Sequence, residues 1–371
     1  MVKVMMLGPY ESKGRYPGGI STVVNALLEE KAQLRQQGVE LIPFDTCRIS
    51  RKAEGIGRLN LTNLKNFSYL LWDAVKTTIE EKPDVFYLHT SVRLALLKDL
   101  LVLRRVKRKT GVRTVLHIHF SEVDKLLTGK PLLDRWMLSA IGKYADEVVL
   151  LSQQTLEQLV ALGVQREKCH LLYNFASIRY TEQQLRQKQS RQERTLLFLG
   201  YISKEKGIYD ILTVLRDVRE PYRFQVCGSF GSNSEEARFW ELAKPLGEKV
   251  SYLGFVTGEE KRTVFRDADV LLLPSYGEGV PMTLLEALEA GCGIVTTAVG
   301  SIPEVIGQDN GYILSPGDLP ALKKAIEAYL TMDASQLETQ QWYNHQTAQR
   351  YDFANFAEKL VQICKRAVSP E

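Results

Sequence analysis

The chain has 371 residues, 44% hydrophobic and 25% charged, with a formal net charge of +4; this is the composition of a soluble globular protein, and the length suggests two domains, each able to bury a core. No uncharged apolar run approaches the roughly 18 residues of a membrane span, and Met1 to Leu7 is too short for a signal peptide, so a cytoplasmic chain is expected. Cys47, Cys169, Cys227, Cys292 and Cys364 are scattered without a C-x-x-C pair, which points to reduced thiols and away from disulfides or structural zinc. The charge is uneven: residues 1–190 carry 29 Lys+Arg against 19 Asp+Glu, and the remainder carries 19 against 25. A basic first half implies an anionic partner: nucleic acid, acidic membrane or a phosphorylated substrate.

Val2 to Leu7 is an apolar run closed by Gly8-Pro9, the pattern of a first parallel strand. A loop from Pro9 to Gly19 and a helix from Ile20 to Gln36 follow. Tyr16-Pro17-Gly18-Gly19-Ile20 is not the G-x-G-x-x-G dinucleotide fingerprint, which weighs against a nicotinamide or flavin cofactor. Further strand-like runs are Val39–Phe44, Asp84–Leu88, Thr114–His119, Glu147–Leu151 and His170–Tyr173. Their alternation with helical patterns argues for a doubly wound parallel α/β sheet. His89 and His119 fall at carboxyl ends of such strands, where open α/β sheets place ligand groups. A satisfied structural histidine is the competing reading for each. Leu100 to Arg113 is the most basic stretch, where an apolar helical face of Leu94, Leu97, Leu100, Leu101 and Val102 runs into Arg104, Arg105, Lys107, Arg108 and Lys109. These cations either complement the end of a buried crossover helix or attract anionic lipid. The stretch lacks interleaved aromatics for stacking bases, so no nucleic-acid partner is expected.

Ile178 to Arg194 is polar and Gln/Arg-rich and reads as an exposed linker. A second alternating series then begins, with strands Thr195–Leu199, Arg223–Cys227, Val250–Leu253, Val270–Leu273 and Gly293–Thr297. Asn310-Gly311 reads as a turn. Helices are expected over Leu319–Tyr329, Gln336–Arg350 and Phe353–Val368. Asp267-Ala268-Asp269 precedes its strand and so should lie at the wrong end of the sheet for a metal.

The stretch Pro274–Gly291 (PSYGEGVPMTLLEALEAG) is the most informative. A buried strand ends at Leu273 and Pro281 suits a first helical position, which places Glu278 in a loop and Glu286 in the second helical turn. Gly277 and Gly279 allow close backbone approach, and the leading N–H groups of Val280, Met282 and Thr283 suit a phosphate or diphosphate.

This string resembles the E-x7-E signature of the retaining nucleotide-sugar glycosyltransferases of family four. The resemblance implies two Rossmann-like doubly wound domains facing a cleft (the GT-B fold). Expected divisions are an acceptor-side domain over 1–177, a linker over 178–194, a nucleotide-sugar domain over 195–350 and a returning helix over 351–371. It also implies transfer of a sugar from a UDP- or GDP-sugar to a saccharide or polyprenyl-diphosphate-linked acceptor, in synthesis of cell-surface polysaccharide, with no metal and no cofactor beyond the donor substrate. Matched residue by residue, Gly18 and Gly19 face the donor diphosphate, and Lys206 of Gly200–Gly207 grips it. Gly254 lies near the base, Glu278 holds the transferred sugar, Glu286 the ribose, and His119 contacts a sugar hydroxyl or phosphate. Tyr201 stands where relatives carry Arg, and Phe120 where they usually carry Asp. A sugar-nucleotide epimerase or phosphorylase of the same shape, and an inactive transferase-like subunit, are the alternatives.

Overall fold

The computed structural model describes residues 1–10, 18–46, 61–120, 123, 127–186 and 193–369. Tyr16 and Pro17 of the glycine loop, Cys47 and residues 187–192 lie outside the described residues. The chain forms two compact units, Met1–Asn174 with Ala354–Glu371, and Phe175–Phe353.

Among the described residues, the first unit carries six strands: β1 (Val2–Gly8), β2 (Val39–Asp45), β3 (Val85–Thr90), β4 (Arg113–Ile118), β5 (Glu147–Leu150) and β6 (Cys169–Leu171). The second carries β7 (Arg194–Leu199), β8 (Tyr222–Cys227), β9 (Val250–Gly254), β10 (Val270–Leu273), β11 (Gly293–Thr297) and β12 (Gly311–Leu314). The sheet orders are β2-β1-β3-β4-β5-β6 and β12-β11-β10-β7-β8-β9, and the pairings are parallel. The strands form because short runs rich in Val, Leu, Ile and Phe are covered by helices on both faces; every residue of β3, β5, β10 and β11 is buried. Met5, Leu7, Phe86, Leu116 and Ile118 centre one core; Leu196, Phe198, Phe224, Leu272 and Val295 centre the other.

Each sheet reverses winding direction once, between β1 and β3 and between β7 and β10. Loops after the two strands at such a switch point diverge to opposite faces and open a crevice at the carboxyl edge. The loops after β7 and β10 hold Lys206 and Glu278.

The structure departs from the sequence reading in several places. The expected helix over 20–36 divides at Glu30 into Gly19–Glu29 and Lys31–Gln36, and only Leu34 of the second piece is buried. Asn310-Gly311 is not a simple turn: Gly311 opens β12, where a Cβ would stand 2.1 Å from the Ile294 carbonyl oxygen, so glycine lets an edge strand close on β11. The supposed linker is not uniformly exposed, because Ile178, Tyr180 and Leu185 are buried and the segment from Phe175 belongs to the second unit. The helix Leu94–Thr110 buries Leu96, Leu100, Val102, Leu103 and Val106, whereas Leu94 is exposed. Its cations do not form one free cluster, since Lys107 is paired with Asp146 and the Arg105 guanidinium lies 4.1 Å from the Trp72 ring centre.

Candidate active site

Pro281 is the residue before the helix rather than its first, with φ −68° and ψ 123°; the helix runs Met282–Glu289. Its fixed φ serves this extended entry as well, and the N–H groups of Met282 and Thr283 still lead the helix, where no preceding turn offers an acceptor. Glu278 and Glu286 are 6% and 0% exposed. Carboxylates buried to that degree need partners, and each has a lysine.

Glu278 Oε1 accepts from Lys206 Nζ at 2.6 Å and from Ser275 Oγ at 2.8 Å. The two loops that carry this pair are fastened together. Tyr276 N donates to the Glu205 carbonyl at 2.8 Å, and the Tyr276 hydroxyl to Asp210 at 2.7 Å. Gly207, at φ +74°, lies so close to Pro274 that a Cβ would meet its carbonyl oxygen at 2.2 Å; at Gly300, φ +55°, a Cβ would meet the Glu278 carbonyl oxygen at 1.8 Å. Both positions require glycine for conformation and for space.

Glu286 Oε1 accepts from Lys261 Nζ at 2.5 Å and from Ser177 Oγ. Its Oε2 is buried with no hydrogen-bond partner, an acceptor left over for something else. One turn on, buried Glu289 accepts from Tyr180 N at 3.1 Å and has Arg179 at 3.8 Å, which ties the Ser177–Tyr180 segment to the same helix. Burial raises the Glu289 carboxyl above the usual range, against the Tyr180 N–H, His345 and Arg179, which lower it. Ser275, Ser177 and Lys261 escaped the sequence reading. Ser275 sits inside the informative string, but nothing in the pattern around Lys261 or Ser177 signals that either reaches Glu286.

Gly254 ends edge strand β9 at φ +74° and its carbonyl accepts from Gly228 N at 2.7 Å; Leu253 and Phe255 on either side are exposed. Gly279 and Val280 continue the loop from Glu278, with the Gly279 carbonyl accepting from Ser301 N at 3.3 Å. Asp269 accepts from Thr195 N at 2.7 Å and joins strands. The structure thus pairs Lys206 with Glu278 across the segments that follow β7 and β10, and sets Gly279, Val280, Met282, Thr283 and Glu286 along the loop and helix that come after Glu278.

In the first unit, Gly18 and Gly19 lead the helix Gly19–Glu29, and a Cβ on either would meet nothing within 4 Å. His119 lies one residue beyond β4, half-buried, with Nε2 2.7 Å from His89 Nδ1. Desolvation pushes it down to about 3, so the imidazole is neutral at pH 7. Sequence reading passed over His117, which is fully buried beside them, its Nδ1 3.0 Å from the Tyr87 hydroxyl.

Two doubly wound parallel sheets flanked by helices, one with lysine-paired buried carboxylates near its switch point, agree with the GT-B architecture that the sequence motif implied. Comparison with known proteins agrees. The family model "Glycosyl transferases group 1" matches residues 181–347, and "Glycosyl transferase 4-like domain" matches residues 16–174. The chain belongs to the group 1, family-four-type glycosyltransferases. It is 27% identical over 304 residues to an uncharacterized 41.2 kDa protein in the cps region of Klebsiella pneumoniae, covering 78% of this chain and 80% of that one. It is also 27% identical over 152 residues to the putative colanic acid biosynthesis glycosyltransferase WcaL of Escherichia coli, but spans only 37% of that protein's length and 38% of its own. Among solved structures, sucrose-phosphate synthase from Thermosynechococcus elongatus superposes over 100% of both chains with TM-score 0.77 at 17% identity. Anabaena HepE in complex with UDP-glucose does so over 100% of both with TM-score 0.73 at 17% identity.

Proposed function

We propose that the chain is a retaining, metal-independent hexosyltransferase that moves a sugar from a UDP- or GDP-sugar to a saccharide or polyprenyl-diphosphate-linked saccharide in cell-surface polysaccharide synthesis. The observation that carries this reading is the Lys206–Glu278 pair at 2.6 Å beside the leading amides of the Met282–Glu289 helix. As the diphosphate leaves, the sugar becomes oxocarbenium-like, so the site needs positive potential at the phosphates and polar acceptors at the sugar. Lys206 and the helix start supply the first. Glu278 holds the sugar's hydroxyls, and Glu286, through its spare Oε2, takes the ribose. Gly18, Gly19 and His119 keep the diphosphate and sugar-contact roles that the family motif implies. No carboxylate is assigned as nucleophile; a donor phosphate oxygen takes the acceptor's proton. The polysaccharide context is supported by the names of the relatives in colanic acid synthesis and the cps region, and the UDP-sugar by the Anabaena complex.

Glu278→Gln should lower transfer by about 10²–10³-fold, the scale of losing one transition-state contact, while calorimetry still detects donor nucleotide. Full activity in this variant would remove Glu278 from the reaction. Product analysis with and without acceptor or orthophosphate separates transfer from epimerisation and phosphorolysis. Contact with an anionic inner membrane face, through Arg104, Arg105, Arg108 and Lys109 without the Asp146-bound Lys107, is tested by flotation. Acidic vesicles should carry the chain up and neutral vesicles should not.

A further inference from the structure

We propose that His89, His117 and His119 form a binding site for one imidazole-preferring divalent transition-metal ion, a site that shares His119 with the proposed transfer machinery. The scaffold is rigid. His89 and His117 are register partners on neighbouring strands β3 and β4, and His119 follows two residues later, so its side chain returns to the same face. The backbone holds it there, with His119 N donating to the Thr90 carbonyl at 2.9 Å. Ring centres lie 5.1 Å (His89–His117), 4.9 Å (His89–His119) and 3.9 Å (His117–His119) apart. One ligand atom from each residue falls within 4.8 Å of the others.

Two of these nitrogens are otherwise unexplained. His89 Nε2 and His117 Nε2 are buried without a hydrogen-bond partner, and their side chains are 4% and 0% exposed. A buried polar atom with no partner is uncommon enough to require a reason. Tyr87 supplies the orienting contact typical of a ligating histidine: its hydroxyl meets His117 Nδ1 at 3.0 Å, which leaves Nε2 as the ligating atom. The donor set contains no carboxylate and no thiolate. It therefore suits Zn²⁺, Cu²⁺ or Ni²⁺ and not Mg²⁺ or Ca²⁺, which demand oxygen. Tetrahedral bonds of about 2.0–2.1 Å place nitrogens about 3.3 Å apart. The His89 Nδ1–His119 Nε2 contact, at 2.7 Å, therefore has to open and the more distant nitrogens, within 4.8 Å of one another, have to close, a movement that half-exposed His119 is placed to make. Three imidazoles leave a fourth position, on the His119 side, for water or another small ligand.

The test uses the untagged full chain, freed of metal by dialysis, and needs no donor sugar, so its outcome is independent of the transfer reading. Titration with Zn²⁺ by calorimetry, checked by elemental analysis, should show one ion per chain, and Co²⁺ should give the intense visible absorption of a four-coordinate ion. His89→Gln and His119→Gln should each weaken uptake at least about 10-fold. His170→Gln and His345→Gln, the remaining histidines, should leave it unchanged. Tyr87→Phe should weaken it by about 10-fold or more. Should His117→Gln unfold, as circular dichroism would reveal, the half-exposed His119→Gln decides. Less than one equivalent of Zn²⁺, uptake indifferent to His89→Gln and His119→Gln, or equal loss in His170→Gln would overturn the proposal.

Discussion

Glu286 illustrates why an acidic residue in a motif string needs company to act. At full burial its negative charge is tolerable because Lys261 and Ser177 share one oxygen, and the second oxygen is buried without a partner. Removing one partner of a buried ion pair strands the other, at a cost of about 3–5 kcal/mol. Lys261→Met should therefore lower the melting temperature of the chain and weaken donor binding together, measured by thermal unfolding and calorimetry. Unaltered stability would show that Glu286 does not depend on this lysine. At Glu278 the lysine is half-buried and better hydrated, so Lys206→Met should act mainly on donor affinity and turnover, with a smaller stability loss.

At the scale of elements, the site depends on loops held at backbone distance. Gly300→Ala would force a Cβ into the Glu278 carbonyl at φ +55°; either the loop moves or the turn opens. The expected result is destabilisation of roughly 1–3 kcal/mol with a larger drop in turnover than a surface Gly→Ala elsewhere, read from denaturant curves and kinetics. In the first unit, Asp146 joins strand to helix. It accepts from Thr114 N at 2.7 Å and Thr114 Oγ1 at 2.9 Å, with Arg113 at 3.4 Å and Lys107 also bound. Desolvation raises its carboxyl, but the Lys107 and Thr114 contacts outweigh it and hold the group below its ordinary range. A depressed carboxylate stabilises the fold above the unfolded pKa and loses that contribution as pH falls through the folded one. The stability difference between wild type and Asp146→Asn should thus be full above about pH 4 and shrink on further acidification, as urea titrations at several pH values would show.

For the whole molecule, the chain builds its first unit, leaves it at Asn174, completes the second by Phe353 and returns with Ala354–Glu371. The returning helix Phe353–Val368 buries Phe356, Leu360, Val361, Ile363 and Cys364, and its Arg366 donates to the Glu167 carbonyl at 3.1 Å. A chain ending at Phe353 should expose that apolar surface and lose the first unit's cooperative unfolding while the second still melts, measurable by calorimetry. Two intact transitions would show the helix to be dispensable. No helix among the described residues is long and apolar enough to cross a membrane.

Much of this was legible in the sequence. The strands Val270–Leu273 and Gly293–Thr297 carry their own boundaries, because continuous burial on both faces demands continuous apolar residues and glycine or proline marks where it stops. Glu278 and Glu286 were legible because strand, loop and helix fix them within one short string. What lay outside reach were contacts between residues far apart in the chain. Lys261 and Ser177 reach Glu286 from 25 and 109 residues away, His117 meets His89 across a strand pair, and β12 exists because Gly311 can press against β11. Local sequence encodes periodicity and turn chemistry within a few residues; which distant side chains neutralise a buried charge is decided only when parallel strands are laid in order and their carboxyl ends brought to one edge.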